Sequence, residues 1–206
     1  MRLYIVRHGQ SNWNVSQRLQ GQEDIGLSDL GNAQAQRVAQ RLAVANLTHV
    51  FSSDLIRTKH TARPVAETHR VAVQEHAALR ERHFGDWQGL EWNTLVARFP
   101  GEWEPVFRGI DGHAPGGESY REMYFRCGTF LAEIAADPAV ERAAIFTHGG
   151  PVRSLIGNLL GIRPEDVWRF RADNCGITVI DTSPEGAIMN THNDLGHLAG
   201  LTEPAW

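Results

Sequence analysis

Apolar runs of strand length recur along the chain at Leu3–Val6, His49–Ser52, Val71–Gln74 and Ala143–Thr147, and the stretches between most of them place apolar residues at helical spacing. In "LSDLGNAQAQRVAQRLAVAN" the residues Leu30, Ala33, Val38, Leu42 and Ala45 form one apolar stripe, and Ser28 ahead of it fits a helix N-cap. A second helix is predicted through "SDLIRTKHTARPVAETH", where Pro64 should kink or shorten it. A long helix is predicted from about Glu118 to Ala136, and another in "HGGPVRSLIGNLLG", whose Pro151 suits a first turn. Alternating strands and helices imply a parallel sheet with crossover helices. The tail "GITVIDTSPEGAIMN" alternates around "SPEG" and reads as a closing hairpin.

The stretch Gly89–Gly117 breaks this rhythm, carrying Trp92, Phe99, Trp103 and Phe107 between short helical patterns before the turn-forming "APGGES". It reads as an insertion capping the sheet. As a group with Trp13, Phe84 and Trp87, these aromatics could wall a pocket; singly, each reads more simply as core. The expected fold is α/β, a three-layer α/β/α arrangement with a mostly parallel central sheet and an inserted, mainly helical cap. With 206 residues and no linker, repeat or low-complexity stretch, residues 1–206 read as one domain.

Composition narrows the function. A formal charge of −4 argues against a nucleic-acid binder, and no segment approaches the length of a membrane span. The four-residue apolar run near the amino terminus is too short for a signal peptide, and Cys127 and Cys175 lie far apart without metal-ligand or redox spacing. Buried thiols in a reducing compartment and a cytoplasmic enzyme are therefore expected. Only Lys59 among the twenty basic residues is a lysine, so a lone arginine carries little functional information here. Ten histidines raise the question of a metal, but there is no HExxH, and the pair His192 and His197 falls in the tail, where packing is the simpler role.

In open parallel sheets, ligands bind beyond the carboxyl ends of the strands. Applied strand by strand, that rule gathers Arg7 and His8 after the first strand, Arg57 after the second, Glu81 after the third and His148 after the fourth. Two guanidinium forks and two imidazoles, with backbone donors at helix amino termini, suit a tetrahedral dianion such as a phosphoryl group. The two arginines should also keep His8 neutral, hence nucleophilic, near pH 7.

The motifs "RHGQSNWN", "SSDLIRTKHTA", "LRERHFGDWQG" and "THGGPVRSL", in this order, resemble the histidine phosphatase superfamily over nearly the whole chain. The resemblance implies that His8 is a nucleophile that becomes phosphorylated, that Glu81 is the proton donor, and that Arg7, Arg57 and His148 hold the phosphoryl group. It extends substrate binding to Ser11, Asn14, Gln20, Gly21 and Gly149. Asp86, on the same loop as Glu81, is an alternative acid. A phosphoryl dianion beside Glu81 favours its protonated form, and such chemistry requires neither metal nor cofactor. The reading is a phosphomonoesterase acting on a small phosphorylated metabolite, with no nucleic-acid or membrane partner; a homodimer is compatible with it. A phosphoglycerate mutase is the rival within the family. Mutases of this type resemble one another in a longer, basic insertion, whereas here Arg98 and Arg108 are set among Glu91, Glu102, Glu104 and Asp111. A non-catalytic phospho-ligand-binding module is the rival from another class.

Overall fold

β1 (Arg2–Arg7) is buried between two neighbours, β4 (Arg142–Thr147) running parallel to it and β5 (Ile177–Ser183) running antiparallel. In the computed structural model, which describes residues 1–201, β2 (His49–Ser52), β3 (Val73–Glu75) and β6 (Gly186–Asp194) complete one six-stranded sheet in the order β3-β2-β4-β1-β5-β6. The four strands from β3 to β1 are mutually parallel, and β5 and β6 form the hairpin foreseen around "SPEG".

Crossover helices cover both faces. On one face α2 (Asp29–Leu42) and α3 (Ile56–His69) bring Val38, Leu42, Ala62 and Val65 onto Val6, Val50, Ala144 and Phe146. On the other, α6 (Tyr120–Ala135) and α7 (Gly149–Leu160) bring Met123, Phe130, Leu155 and Ile156 onto Leu3, Ile5, Phe51 and Ile145. Alternate residues of β1 therefore serve opposite cores, as the two-residue period of a strand requires. Capping follows the sequence at two helices: Ser28 accepts from the Gly31 amide, and Ser119 forms a reciprocal capping box with Glu122 ahead of α6.

Three boundaries differ from expectation. Pro64 lies inside α3, which runs its full fourteen residues; the packed Ala62, Val65 and Ala66 hold the helix through the missing amide, and Arg70 in the left-handed conformation ends it. That helix also starts at Ile56, later than the pattern suggested, with Leu55 as a cap lacking a side-chain bond. The third strand is displaced from Val71–Gln74 to Val73–Glu75, because this edge position is half exposed and its apolar signal is weak.

The insertion contains two short helices, α4 (Trp92–Arg98) and α5 (Trp103–Arg108). They enclose a small core of Phe84, Trp87, Leu95, Val106 and Ala114. Among the described residues, no helix is long and apolar enough to cross a membrane.

Candidate active site

β1 and β4 are adjacent, yet the helices that follow them depart to opposite faces of the sheet. Such a divergence opens a crevice at the carboxyl ends of the two strands. The ladder continues one residue past β1, with the His8 amide donating to the Thr147 carbonyl at 2.8 Å, and this fixes His8 at the crevice floor. Gly9 follows because α2 begins there: a Cβ on Gly9 would lie 2.6 Å from the Gly31 carbonyl oxygen. Thr61 of α3 ties down the same turn by accepting from the Gly9 amide at 3.0 Å.

The His8 ring is 3 % exposed, and its Nδ1 lies 2.7 Å from the Gly9 carbonyl. A carbonyl only accepts, so Nδ1 carries the proton and the lone pair is on Nε2. Burial, then Arg57 and Arg7, push the imidazole well below its ordinary titration range; the Gly9 bond opposes them weakly. His8 is therefore a neutral base with a free lone pair at neutral pH.

A cavity of about 320 Å³ opens beside it, lined by five arginines (Arg7, Arg18, Arg57, Arg82 and Arg153) and a single carboxylate, Glu81. Arg7 donates through Nη1 to the Ala172 carbonyl, but its Nε is buried without any partner. Arg57 spends three of its five N–H groups on His148 Nδ1 and on the Glu23 and Gly21 carbonyls, which also pins the loop containing Gln20 and Gly21. Burial lowers Arg57 to about 10, with Glu81 the first of the groups opposing it. Among the described residues, Arg7, Arg57, Arg82 and Arg153 have no carboxylate within ion-pair distance, whereas Arg18 pairs with Glu91 at 2.6 Å. A crowded set of cations with an orphaned N–H is a receptor for an anion.

Glu81 reaches the cavity from the loop after β3. One carboxylate oxygen accepts from the Arg82 amide at 2.9 Å and the other from the Gly150 amide at 3.3 Å, at the amino terminus of α7. A Cβ on Gly150 would stand 2.5 Å from Glu81 Oε1, so a side chain there would shift the carboxylate. Asp86, the alternative acid, is exposed in a short 3-10 turn and does not line the cavity.

Of the residues expected from the sequence, Arg7, His8, Gln20, Gly21, Arg57, Glu81 and Gly149 line one cavity. His148, Ser11 and Asn14 do not. His148 is fully buried one layer behind, edge-on to the His8 ring with centroids 5.2 Å apart. Both its nitrogens are occupied: Nδ1 accepts from Arg57 Nε at 3.2 Å, so the neutral ring's Nε2–H donates to Ser53 Oγ at 3.0 Å. Ser11 and Asn14 form the capping box of α1 (Asn12–Val15), and Ser11 Oγ donates to Gln20 Oε1 at 2.8 Å, so they act on the cavity through Gln20.

Sequence reasoning missed Arg18, Arg82, Arg153 and Tyr120. Arg82 adjoins Glu81, and Arg153 sits one helical turn beyond Gly149, so spacing alone could have found both. Of the aromatics, Phe84 and Phe107 wall the cavity, stacked at 5.3 Å with the Arg82 guanidinium over Phe84 at 4.5 Å. Trp87 and Leu95 instead fill the cap's own core. Both cysteines are buried, and burial pushes Cys127 up to about 12, far from nucleophilic use. No group of three or more histidine, cysteine or acidic residues suited to a metal occurs among the described residues.

The buried imidazoles give a stability prediction. His8 and His148 both titrate well below the ordinary 6.5, so below that pH the unfolded chain takes up protons that the native state refuses. Their contribution is complete above pH 6.5 and declines as the pH falls beneath it. The melting temperature is expected to drop between pH 6.5 and 5, and His8→Ala should flatten that slope in a thermal-melt series.

The profile of the Histidine phosphatase superfamily (branch 1) matches residues 3–195. The chain belongs to that superfamily. It is 35% identical to the probable phosphoglycerate mutase GpmB of Proteus mirabilis (strain HI4320), over 98% of this chain and 96% of that protein. Among solved structures it is similar to mycobacterial glucosyl-3-phosphoglycerate phosphatase in complex with VO3, with a TM-score of 0.85, 31% identity and coverage of 93% and 98%. The putative alpha-ribazole-5'-P phosphatase of Escherichia coli K-12 gives 0.88 at 27% identity, covering 94% of this chain and 96% of that one. In this histidine phosphatase superfamily member, the cavity arginines and His8 thus occupy a fold shared with phosphatases and with mutase-like relatives.

Proposed function

We propose that this protein is a metal-independent phosphomonoesterase that hydrolyses a small phosphorylated metabolite through a phosphohistidine on His8. The observation that carries the reading is the buried His8 Nε2 lone pair at the floor of a cavity holding five arginines and one acid. In the first step Nε2 attacks phosphorus and the P–O bond breaks. Its electron pair stays on the leaving oxygen, which takes the proton of the Glu81 carboxyl. In the second, Glu81 takes a proton from water, whose oxygen attacks phosphorus as the N–P bond breaks and returns its pair to His8. Arg7 and Arg57 stabilise the charge on the transferring group, which is mainly what phosphoryl transfer needs. His148 is a positioning group in this account, holding Arg57 Nε and packing on the His8 ring.

The charge balance also bears on the substrate. A dianion offsets Arg7 and Arg57, and Arg82 and Arg153 remain without carboxylates, which favours a substrate whose alcohol portion is itself anionic. Arg153→Gln is expected to raise KM roughly tenfold, about 1.4 kcal/mol, for phosphomonoesters carrying a second anionic group. Neutral ones should change little in the same steady-state assay.

A mutase is the second reading, favoured by the 35% identity to a probable phosphoglycerate mutase. Against it, the cap's Arg98 and Arg108 lie over Phe99 and Trp103 and are absent from the cavity wall. Net release of inorganic phosphate from a panel of phosphorylated metabolites decides between them, since a mutase returns the group to the substrate; binding without turnover would instead leave a non-catalytic module. Prolonged chelation should leave that release unchanged, while orthovanadate should inhibit it and raise the melting temperature by filling the cationic cavity. Activity lost to chelator and restored by one divalent ion would contradict the metal-free chemistry.

A further inference from the structure

We infer that Arg126, locked by Glu118, is a positioning residue that holds the proton donor Glu81 in reach of the leaving group; this rests on the hydrolytic reading above. Glu81 has no ladder to fix it. The strand before it has three residues, a single 3-10 turn (Ala77–Leu79) follows, and residues 80–84 are irregular. Among the described residues, its carboxylate is held by two backbone amides, one from its own neighbour. An acid on such a loop needs an external brace to keep its proton directed at one oxygen.

Arg126 supplies it from the middle of α6, a rigid sixteen-residue helix packed on the sheet. Its Nη1 donates to the Ala78 carbonyl at 2.6 Å and its Nη2 to the Glu81 carbonyl at 3.0 Å, so one planar group spans the loop from the 3-10 turn to the acid. Glu118 fixes that plane by bidentate pairing, at 2.6 Å to Nε and 2.9 Å to Nη2. Glu118 is also joined to the acid loop directly: its amide donates to the His83 carbonyl at 2.7 Å, and its carboxylate accepts from the His83 amide at 3.3 Å. The "PGGES" segment closing the cap insertion is thereby fastened to the loop that carries the acid. Gln22 is a second, weaker brace, donating to the same Glu81 carbonyl at 3.0 Å.

A lysine at 126 could reach one carbonyl but could not span both while pairing with Glu118, because an ammonium lacks the planar fork. The distinguishing test is leaving-group sensitivity. A misplaced acid harms alkyl phosphates, whose oxygens need the proton, and spares aryl phosphates. Arg126→Met is expected to reduce kcat/KM, which reports the phosphorylation step, on an alkyl phosphate by about 10- to 100-fold more than on an aryl phosphate, with Arg126→Lys and Glu118→Gln intermediate. In a Glu81→Gln background, adding Arg126→Met should cost nothing further on the alkyl substrate. Should Arg126→Met fail to fold, Arg126→Lys and Glu118→Gln carry the same comparison.

Equal losses on both substrates, or a double variant showing the product of the single effects, would make Arg126 merely structural and overturn the inference. The two readings fail separately. If Glu81→Gln discriminates between leaving groups and the Arg126 and Glu118 variants do not, the brace alone is wrong; if Glu81→Gln itself shows no discrimination, there is no acid to position and both fall.

Discussion

His8→Ala is expected to lower turnover of both aryl and alkyl phosphates by roughly 10⁴-fold or more, because the nucleophile is lost whatever the leaving group. The fold should survive. Among the described residues the His8 side chain hydrogen-bonds only to the neighbouring Gly9 carbonyl, and the turn is held independently through the His8 and Gly9 amides. Removing the ring also removes a buried group that burial and two arginines keep from protonating, a gain confined to pH below 6.5. The variant should still bind orthovanadate, since the arginines are untouched, and steady-state rates paired with a vanadate melting shift report both properties. Loss of anion binding together with turnover would mean that the substitution had collapsed the cavity.

Glu81→Gln is expected to lower kcat/KM, which reports the phosphorylation step, about 10²–10⁴-fold for alkyl phosphates and far less for aryl phosphates, the range typical of a lost general acid. Glutamine keeps one acceptor oxygen, enough for the shorter bond from the Arg82 amide at 2.9 Å, and gives up the 3.3 Å bond from the Gly150 amide, while the loop's backbone bonds to Arg126 are untouched. Asp86→Asn should leave the ratio between the two substrates unchanged, because Asp86 is exposed on a 3-10 turn outside the cavity. The reverse pattern would transfer the acid to Asp86 and reduce Glu81 to a part of the loop.

Much of the arrangement was legible because it is local or periodic. The buried strands announce themselves as apolar runs, and β1 shows its exit from the core by changing from Val6 to Arg7 and His8. The hairpin was visible in its alternation. What escaped was set by three-dimensional packing. Pro64 is tolerated because the residues around it are fastened to the sheet, a tertiary effect that helix propensity does not contain. The placement of His148 escaped for a similar reason: sequence puts it at a strand end, whereas the depth of that end puts the ring behind His8 and gives its nitrogens to Arg57 and Ser53. Arg82 and Arg153 carried a positional signal, beside Glu81 and one turn after Gly149, but composition masked it, since in a chain whose basic residues are almost all arginine no single one stands out. Neither Arg126 nor its partner Glu118 has a sequence signal, because the backbone carbonyls to which Arg126 donates, and the backbone amide from which the Glu118 carboxylate accepts alongside Arg126, are presented only by the folded loop.

The phosphoenzyme itself tests the central claim most directly. Rapid mixing with a radiolabelled phosphomonoester, followed by quenching and peptide mapping, should yield one label per chain on the imidazole in "LYIVRHGQSNWN", stable in alkali and lost in acid as a phosphoramidate must be. The label should form at least as fast as turnover and be absent from His8→Ala. A label on another residue, a label retained by His8→Ala, or turnover with no covalent species on the timescale of a single cycle would contradict the account.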